Sequence, residues 1–420
     1  MPQSVSIDVL AEHLMERCDI VASHTEEPGR ITRRYGTEPL AEAMAIVEDW
    51  MRQAGLQTRR DAIGNLFGLL PGPVEDAPRL LMGGHLDTVR DAGRYDGILG
   101  VLSAIATVEA VQARVTQLPF ALEVVAFAEE EGSRYLPYLG SLSAVGGLSR
   151  EALETLDVDG ISLRDAIAGW GFDPEGSLKG SLVEHRYLGF IEAHIEQGPR
   201  LEVAGLPVGI VSGIVGMQRA YLEVHGVAGH AGTLAMEGRR DALVATAEII
   251  LGVDEIGRAY ADGRATVGEI AIEPGSSNVV PGKARISLDV RHPDESVVDE
   301  IYERIQARAA SVAARRNVDL VWHPGQRVDA MVCDDALNGA LAAAIEQAGF
   351  EPTELFSGAG HDAAALARIM PVTMLFTRCK DGISHNPAES ITVEDAAVTI
   401  DVLVRFVEIT AATHRQEVAA

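Results

Sequence analysis

The stretch RLLMGGHLDTVRDAGRYDGILGVLSAIATVEAV, residues 79–111, decides the fold together with ALEVVAFA at 121–128. The segments RLLMGGHLD (79–87) and ALEVVAFA (121–128) are short and largely apolar without interruption, which is typical of strands buried on both faces. The Ala-, Leu- and Val-rich segment between them, from about Ile98 to Val111, predicts a helix. Strand, helix and strand in this order predict an α/β fold with a mainly parallel sheet.

The same alternation continues on both sides of this stretch. Upstream, apolar residues share one helical face and Gly55 ends that helix. The residues of that face are Leu40, Met44, Val47 and Met51. Further elements are predicted at NLFGLL (65–70), at 334–348, at PVTMLF (371–376) and from about Val393 to Ile409. A large α/β domain therefore occupies both ends of the chain.

The pattern changes between about Gly213 and Asp329. Alternating strand signals and amphipathic helix signals follow one another there as β-α-β-β-α-β, the order of a ferredoxin-like α+β unit. The segments are AYLEVHGV, RRDALVATAEIILGV, ATVGEIAI, ARISLDVRH, SVVDEIYERIQARAASVAARR and VDLVWH. We expect two domains, 1–212 plus 330–420 and an inserted 213–329.

Composition limits the classes of function. A chain of 420 residues exceeds what one core usually serves, and 47% apolar with 23% charged residues is globular. The net charge of −27 argues against nucleic acid or an anionic membrane as a partner, because both require a basic face. The N-terminus lacks the features of a signal peptide, so a cytoplasmic protein is expected. The cysteines Cys18, Cys333 and Cys379 are widely spaced and predict reduced thiols.

Five places combine a metal-ligating side chain with a predicted strand end or tight turn. They contain His85, Asp96, the pair Glu130 and Glu131, His194, and His385. Taken singly, such a residue is more often a solvated surface group. Together, imidazoles and carboxylates at the carboxyl ends of strands resemble the nitrogen and oxygen ligands of a pair of divalent ions. Flanking glycines suit a close approach of the backbone to such a site.

Eight ordered motifs carry a family resemblance. The chain resembles the metallo-amidohydrolase family of N-carbamoyl-L-amino-acid hydrolases, allantoate amidohydrolases and β-ureidopropionases from about Asp61 to Glu394. Single motifs are weak, but eight in this order are specific. They are GGHLDT, GRYDGILGV, EEGSR, HIEQGP, SNVVPG, DVRH, SGAGHDA and GISHNPAE.

The resemblance implies a dinuclear metal centre. His85 and His194 would each bind one ion, Asp96 would bridge both, and Glu131 and His385 would complete the set. Asp87 would accept the free N–H of the His85 imidazole and fix its tautomer. The two ions could be Zn, Mn, Co or Ni, because all four suit these ligands.

The same resemblance implies that Glu130 is the general base. It would take a proton from the attacking water and pass one to the leaving nitrogen, while the ions polarise the carbonyl. The run Glu129-Glu130-Glu131 leaves this assignment ambiguous by one position. The family pattern places the base and the ligand last before Gly132, so Glu129 is expected to be solvated or structural. Side chains alternate along an extended chain, which separates the roles of Glu130 and Glu131.

An acidic protein needs a local cation to bind a small ureido acid through its carboxylate. Arg291 is the candidate, because a guanidinium can hold a carboxylate in a bidentate fork. The resemblance implies that Asn278 holds the carboxylate together with Arg291. The resemblance implies that His230 supports the carbonyl oxygen as charge develops. It also implies that Gln197 and the loop with Gly358, Gly360 and His361 complete the pocket. The alternative, purely structural roles are a surface ion pair for Arg291 and a position in a turn for His230.

The resemblance further implies a homodimer. His230, Asn278 and Arg291 would reach from the inserted lid or dimerisation domain of one subunit into the partner's active site. Arg378, beside Cys379, gives a weak hint of allantoate rather than N-carbamoyl-L-amino acids, and β-ureidopropionase or ureidoglycolate activity stays open.

Two other classes of function compete. An aminoacylase or peptidase of the wider clan would share the metals, and a non-catalytic binding protein would be expected to have lost part of the ligand set.

Overall fold

A computed structural model describes residues 6–114 and 118–419. The helices are α1 (Ile7–Ser23), α2 (Glu38–Gln53), α3 (Ile98–Arg114), α4 (Leu139–Ala144), α5 (Leu163–Gly169), α6 (Arg200–Ala204), α7 (Ala242–Arg258), α8 (Glu295–Arg316), α9 (Asp335–Gln347), α10 (Asp362–Leu366) and α11 (Val393–Ala419). The strands are β1 (Gln57–Arg60), β2 (Leu66–Leu70), β3 (Arg79–His85), β4 (Ala121–Phe127), β5 (Tyr187–Ile195), β6 (Val208–Ile214), β7 (Gly216–His225), β8 (Gly229–His230), β9 (Arg264–Thr266), β10 (Ile270–Glu273), β11 (Val279–Val280), β12 (Lys283–His292), β13 (Asp319–Val328), β14 (Met331–Val332), β15 (Glu354–Ser357) and β16 (Val372–Thr377).

The chain divides into two compact units. The first comprises residues 1–212, 333–355 and 360–420, and the second comprises 213–332 and 356–359. The roles that the sequence predicts for the two segments, dimetal catalysis and lid or dimerisation, stay predictions.

The first unit has an α/β architecture, and its sheet is mixed, with parallel strands at the centre. Its strands follow the order β1-β2-β4-β3-β5-β16-β6. The pairs β3 with β4, β3 with β5 and β5 with β16 are parallel, as the buried apolar runs predict. The flanking pairs β1 with β2, β2 with β4 and β6 with β16 are antiparallel. NLFGLL is therefore a strand, but one that runs against its neighbour.

Helix α3 is held close to the centre of this sheet. It packs against β3, β4 and β5, and helices α1 and α11 cover it. A Cβ at Gly100 would lie 2.6 Å from the carbonyl oxygens of both Gly83 and Ala193. Only glycine allows the start of α3 to approach the two strands so closely. This approach fixes the loop just before α3, which contains Asp96.

The second unit has its own sheet and core. Its main elements run β7, α7, β10, β12, α8, β13. The sheet order is β10-β12-β7-β13, β9 also pairs with β12, and every pair is antiparallel. Helices α7 and α8 bury their apolar faces against β7 and β12. A separate two-stranded pair joins β8 to β11, with His230 opposite Val279.

Several expectations about helices and cysteines can be compared with the structure, and the end of one helix differs from its predicted position. The last helix extends to Ala419, ten residues beyond the predicted Ile409. The face formed by Leu40, Met44, Val47 and Met51 of α2 is fully buried. All three cysteines are free and buried. Among the described residues, no helix has both the length and the apolar character needed to cross a membrane.

Candidate metal centre

Parallel strands bring the predicted ligands to one edge of the first unit's sheet. His85 is the last residue of β3 and lies in register with Phe127, the last residue of β4. Glu130 and Glu131 follow β4 directly, and His194 lies next to the end of β5. Because the carboxyl ends of parallel strands point the same way, these side chains meet at one edge.

The first ligand group consists of His85, Asp96 and His194. The Nε2 atom of His194 lies 3.0 Å from Asp96 Oδ1, and the Nε2 atom of His85 lies 3.7 Å from the same oxygen. All three side chains are buried. Two imidazole nitrogens and one carboxylate oxygen in this arrangement could hold a divalent ion.

The second ligand group consists of Asp96, Glu131 and His385. The Nε2 atom of His385 lies 3.2 Å from Asp96 Oδ2 and 3.5 Å from Glu131 Oε1. This group could also hold an ion, and Asp96 belongs to both groups. Its Oδ1 atom faces His85 and His194, and its Oδ2 atom faces His385.

Backbone contacts fix the tautomers of the two buried imidazoles. His85 Nδ1 lies 3.1 Å from the backbone oxygen of Asp87 and 3.3 Å from its carboxylate, and His194 Nδ1 lies 2.9 Å from the backbone oxygen of Ile195. Because the proton on Nδ1 is kept for these backbone oxygens, Nε2 is the nitrogen of each neutral ring that could bind an ion, and it lies on the side of Asp96. Gly97 leaves room for the imidazole ring of His85, because a Cβ at position 97 would lie 2.4 Å from that ring.

Asp87 organises the neighbouring loop as well as His85. Its carboxylate is fully buried and accepts the backbone N–H groups of Glu130 at 2.9 Å and Glu131 at 3.1 Å. One side chain therefore holds the loop after β3 and the loop after β4 in a common frame. This is the orienting contact to His85 that the sequence predicts, with two further contacts that it does not.

The electrostatics of the cluster fit cations. Burial, followed by the charge of Asp96, raises the pKa of Glu131 to about 7. Burial also raises the pKa of Glu130 well above its ordinary value. Burial alone would raise the pKa of Asp96, but hydrogen bonds from His194 and His385 hold it well below its ordinary value. The centre thus concentrates buried negative charge, which bound divalent ions would offset.

Glu130 and Glu129 have different surroundings. Glu130 is buried, and its Oε2 atom lies 3.9 Å from Nε2 of His85. Glu129 is fully buried and accepts the backbone N–H groups of Tyr35, Arg134 and Tyr135 at 3.1, 3.0 and 3.4 Å. Of the two expectations for Glu129, the solvated one is wrong and the structural one is right.

Two residues in the last motif support Asp96 and were missed from the sequence. Glu389 is buried and accepts the backbone N–H groups of Tyr95 at 2.8 Å and Asp96 at 3.2 Å. Ser384 Oγ lies 3.0 Å from Asp96 Oδ2 and 3.2 Å from Glu389 Oε2. The motif GISHNPAE contains both, but no spacing rule links them to a residue nearly 300 positions earlier.

The substrate candidates of the first unit lie beside the ligand groups. Gln197 has a positive φ of 55° and donates its amide N–H to Asp96 Oδ2 at 2.9 Å and to Ser384 at 3.1 Å. His361 is buried with its ring centre 4.4 Å from that of His194. A Cβ at Gly360 would overlap the hydroxyl group of Tyr138. Gln197 thus contacts Asp96, the carboxylate that the two ligand groups share.

The remaining substrate candidates belong to the second unit. His230 and Asn278 are exposed. His230 ends β8 and Asn278 directly precedes β11, where the N–H of Ala231 donates to the Asn278 carbonyl at 2.9 Å. The guanidinium of Arg291 binds the Asp289 carboxylate in a bidentate manner, with Nε 2.8 Å from Oδ1 and Nη2 3.1 Å from Oδ2. Its Nη1 atom donates to the Gly358 carbonyl at 2.7 Å. The ion pair that we set out as the alternative for Arg291 is therefore present.

Arg378 does not support the hint about substrate choice. Its guanidinium is bidentate on Asp395, at 3.1 and 2.7 Å, in the first turn of α11. Asp395 is buried, so this pair ties the loop after β16 to that helix. Arg378 thus serves the local structure.

Comparisons with known proteins agree with this geometry. The sequence pattern of peptidase family M20/M25/M40 matches residues 81–409. The chain belongs to this family. Within the M20 family, the chain is 38% identical over 397 residues to an N-carbamoyl-L-amino acid amidohydrolase of Geobacillus stearothermophilus, covering 94% of this chain and 97% of the relative. It is 35% identical over 367 residues to an allantoate amidohydrolase of Bacillus subtilis strain 168, covering 86% and 88%.

A solved structure gives the same result. An amidase of the hydantoinase/carbamoylase family from Burkholderia multivorans superposes on this M20 chain with a TM-score of 0.89 at 30% identity, covering 96% of this chain and 98% of the other. The resemblance inferred from the eight motifs is confirmed, and so is the prediction of an amidohydrolase-type enzyme. M20 enzymes are metal-dependent, in keeping with the ligand groups described above.

Proposed function

We propose that the chain hydrolyses the linear amide C–N bond of a small ureido acid, an N-carbamoyl-L-amino acid or allantoate, at a centre with two divalent ions. The observation that carries the proposal is the pair of ligand groups that share Asp96. The names of the relatives supply the substrate class. We further propose that the protein acts in the cytoplasm, as its composition suggests.

Five side chains are proposed to hold the two ions. His85 and His194 would bind one ion, Glu131 and His385 would bind the other, and Asp96 would contribute to both. When bound, such ions polarise a carbonyl and make a water molecule more acidic. Zn, Mn, Co and Ni all suit imidazole and carboxylate donors. Asp87 and Glu389 orient the set through the hydrogen bonds given above.

Glu130 is proposed as the general base. It adjoins the first ligand group, and its burial raises its pKa, which favours a carboxylate that can hold a proton during the reaction. It takes a proton from the attacking water and delivers one to the leaving nitrogen. Glu129 is unsuited to this role because both of its oxygens accept backbone N–H groups.

The substrate contacts are a finer part of the proposal. Gln197, Gly358, Gly360 and His361 would line the site, Asn278 and Arg291 would bind the substrate carboxylate, and His230 would support the carbonyl oxygen. Arg291 has first to exchange Asp289 for the substrate, because its fork contacts that residue here. A planar guanidinium matches either carboxylate equally well.

A substrate panel tests the proposed reaction. The protein, loaded with Mn²⁺ after treatment with a chelator, is assayed for product release from allantoate, several N-carbamoyl-L-amino acids, N-acyl amino acids and dipeptides. We expect hydrolysis of at least one ureido acid and little or none of the dipeptides. Hydrolysis of dipeptides or acyl amino acids alone would contradict the proposal in favour of a peptidase or aminoacylase of the same family.

We also propose a homodimer in which His230, Asn278 and Arg291 serve the partner's centre. All three residues belong to the second unit, whereas every proposed metal ligand belongs to the first. The separation leaves two possibilities, a site completed within one chain and a site completed across a two-fold interface. The family resemblance favours the second.

Mixing two inactive variants distinguishes these possibilities. Glu130→Gln damages only a chain's own centre, and His230→Ala damages only the surface it presents. If His230 acts across the interface, half of the dimers are mixed and half of their sites are whole, so about a quarter of wild-type activity returns. Co-purification of differently tagged chains verifies that subunits exchange. Exchange without recovered activity would show that His230 serves its own chain.

A further inference from the structure

Arg33 is a fully buried arginine with no carboxylate partner. Its exposed fraction is 0%, and among the described residues no Asp or Glu oxygen lies within 4.0 Å of its guanidinium. The neighbouring Arg34 shows the usual arrangement, an ion pair with Glu26 at 2.7 Å. A buried charge without a partner is expensive, so its retention calls for a reason.

The contacts of Arg33 converge on the residues that follow His85. Its Nε atom donates to the Leu86 carbonyl at 2.6 Å. Its backbone N–H donates to Thr88 Oγ1 at 2.9 Å, and its carbonyl accepts the N–H of Thr88 at 2.9 Å. Nη1 donates to carbonyls at the end of α1, those of Val21 at 3.0 Å and His24 at 3.2 Å. Arg33 thus forms hydrogen bonds with both residues that flank Asp87, Leu86 and Thr88.

The charge of Arg33 also acts on Asp87. Burial lowers the pKa of Arg33 to about 10, and the opposing effect comes from the negative charge of Asp87. The Nη2 atom of Arg33 has no hydrogen-bond partner among the described residues. The guanidinium is therefore held by carbonyl oxygens, and among the described residues it forms no direct ion pair with Asp87 or any other carboxylate.

We propose that Arg33 is a positioning residue of the metal centre, which fixes the loop after His85 through Leu86 and Thr88 and places a buried positive charge beside that loop. Asp87 passes this positioning on, because its carboxylate contacts His85 Nδ1 and accepts the N–H groups of Glu130 and Glu131. Arg33 itself touches neither substrate nor ion. The inference rests on the proposed function, since it assumes that the ligand groups bind metal.

The test compares three variants with a matched control, all as full-length chains freed of metal and titrated with Co²⁺. Arg33→Met keeps volume without charge, Arg33→Gln keeps a donor without charge, and Arg33→Lys keeps charge. Arg79→Met is the control, because Arg79 begins the strand that His85 ends and pairs with the buried Glu123. Affinity, the visible Co²⁺ spectrum and the melting temperature are recorded for each.

We expect Arg33→Met and Arg33→Gln to bind Co²⁺ about 10–100-fold more weakly, with altered visible bands. Arg33→Lys should lie closer to wild type than either. Arg79→Met should lower the melting temperature and leave the Co²⁺ spectrum unchanged. If Arg33→Met does not fold, the comparison of Gln with Lys decides alone.

Wild-type affinity and spectrum in Arg33→Gln would overturn the inference and leave the proposed function intact. Equal losses in Arg33→Gln and Arg33→Lys would overturn the role of the charge. A wild-type protein that binds no Co²⁺ would overturn the proposed function and this inference together.

Discussion

Replacing Glu130 with Gln is expected to slow turnover by about 10²–10⁴-fold while the protein keeps its metal. The amide has the shape of the carboxylate but cannot accept the proton of the attacking water. Glu130 is not one of the five proposed ligands, so metal content measured by elemental analysis should stay at the wild-type value. The rate of ureido acid hydrolysis at saturating substrate gives the effect on turnover.

Glu75→Gln is the matched control, because it makes the same chemical change at an exposed carboxylate. It should leave both rate and metal content unchanged. If Glu130→Gln kept more than about a tenth of the wild-type rate with full metal content, general-base catalysis by Glu130 would be refuted, since loss of a base costs at least about 10²-fold.

Asp96→Ala is expected to remove metal and to abolish hydrolysis. Asp96 is the one residue common to both ligand groups, with Oδ1 facing His85 and His194 and Oδ2 facing His385. Its loss removes a ligand from each ion and leaves three imidazoles without the carboxylate they face. Metal per chain after dialysis, together with the hydrolysis rate, measures the effect.

Asp76→Ala, at an exposed position, is the control for the loss of a carboxylate as such and should behave like wild type. The contrast with Glu130→Gln is the informative part, because one variant is inactive with metal and the other is inactive without it. Unchanged metal content in Asp96→Ala would mean that Asp96 does not bridge two ions.

The centre of the fold could be predicted because its physical signals are local. β3 and β4 are buried on both faces and therefore appear as continuous apolar runs, and α3 is covered on all sides. The proximity of the proposed ligands His85 and Glu131 then follows from the rule that the carboxyl ends of parallel strands meet. The limits of elements were less predictable, as α11 shows, because an exposed helical end leaves little trace in hydropathy.

The supporting residues could not be predicted because their partners are distant in sequence. Glu389 accepts the backbone N–H of Asp96, which lies 293 positions earlier, and Arg33 donates to the carbonyl of Leu86, 53 positions later. The sequence does not distinguish a buried glutamate from an exposed one. The structural role of Glu129 could therefore not be assigned before its three backbone N–H donors were known. Arg291 shows the converse, because its partner Asp289 lies two positions away in the same motif.

Metal reconstitution tests the central claim most directly. The wild-type protein is stripped with a chelator, then titrated with Mn²⁺ while ureido acid hydrolysis and bound metal are measured in the same samples. The account predicts that the stripped protein is inactive, that activity returns with metal, and that the fully active protein binds two ions per chain. Hydrolysis at the full rate by the stripped protein, or full activity with one bound ion per chain, would contradict it.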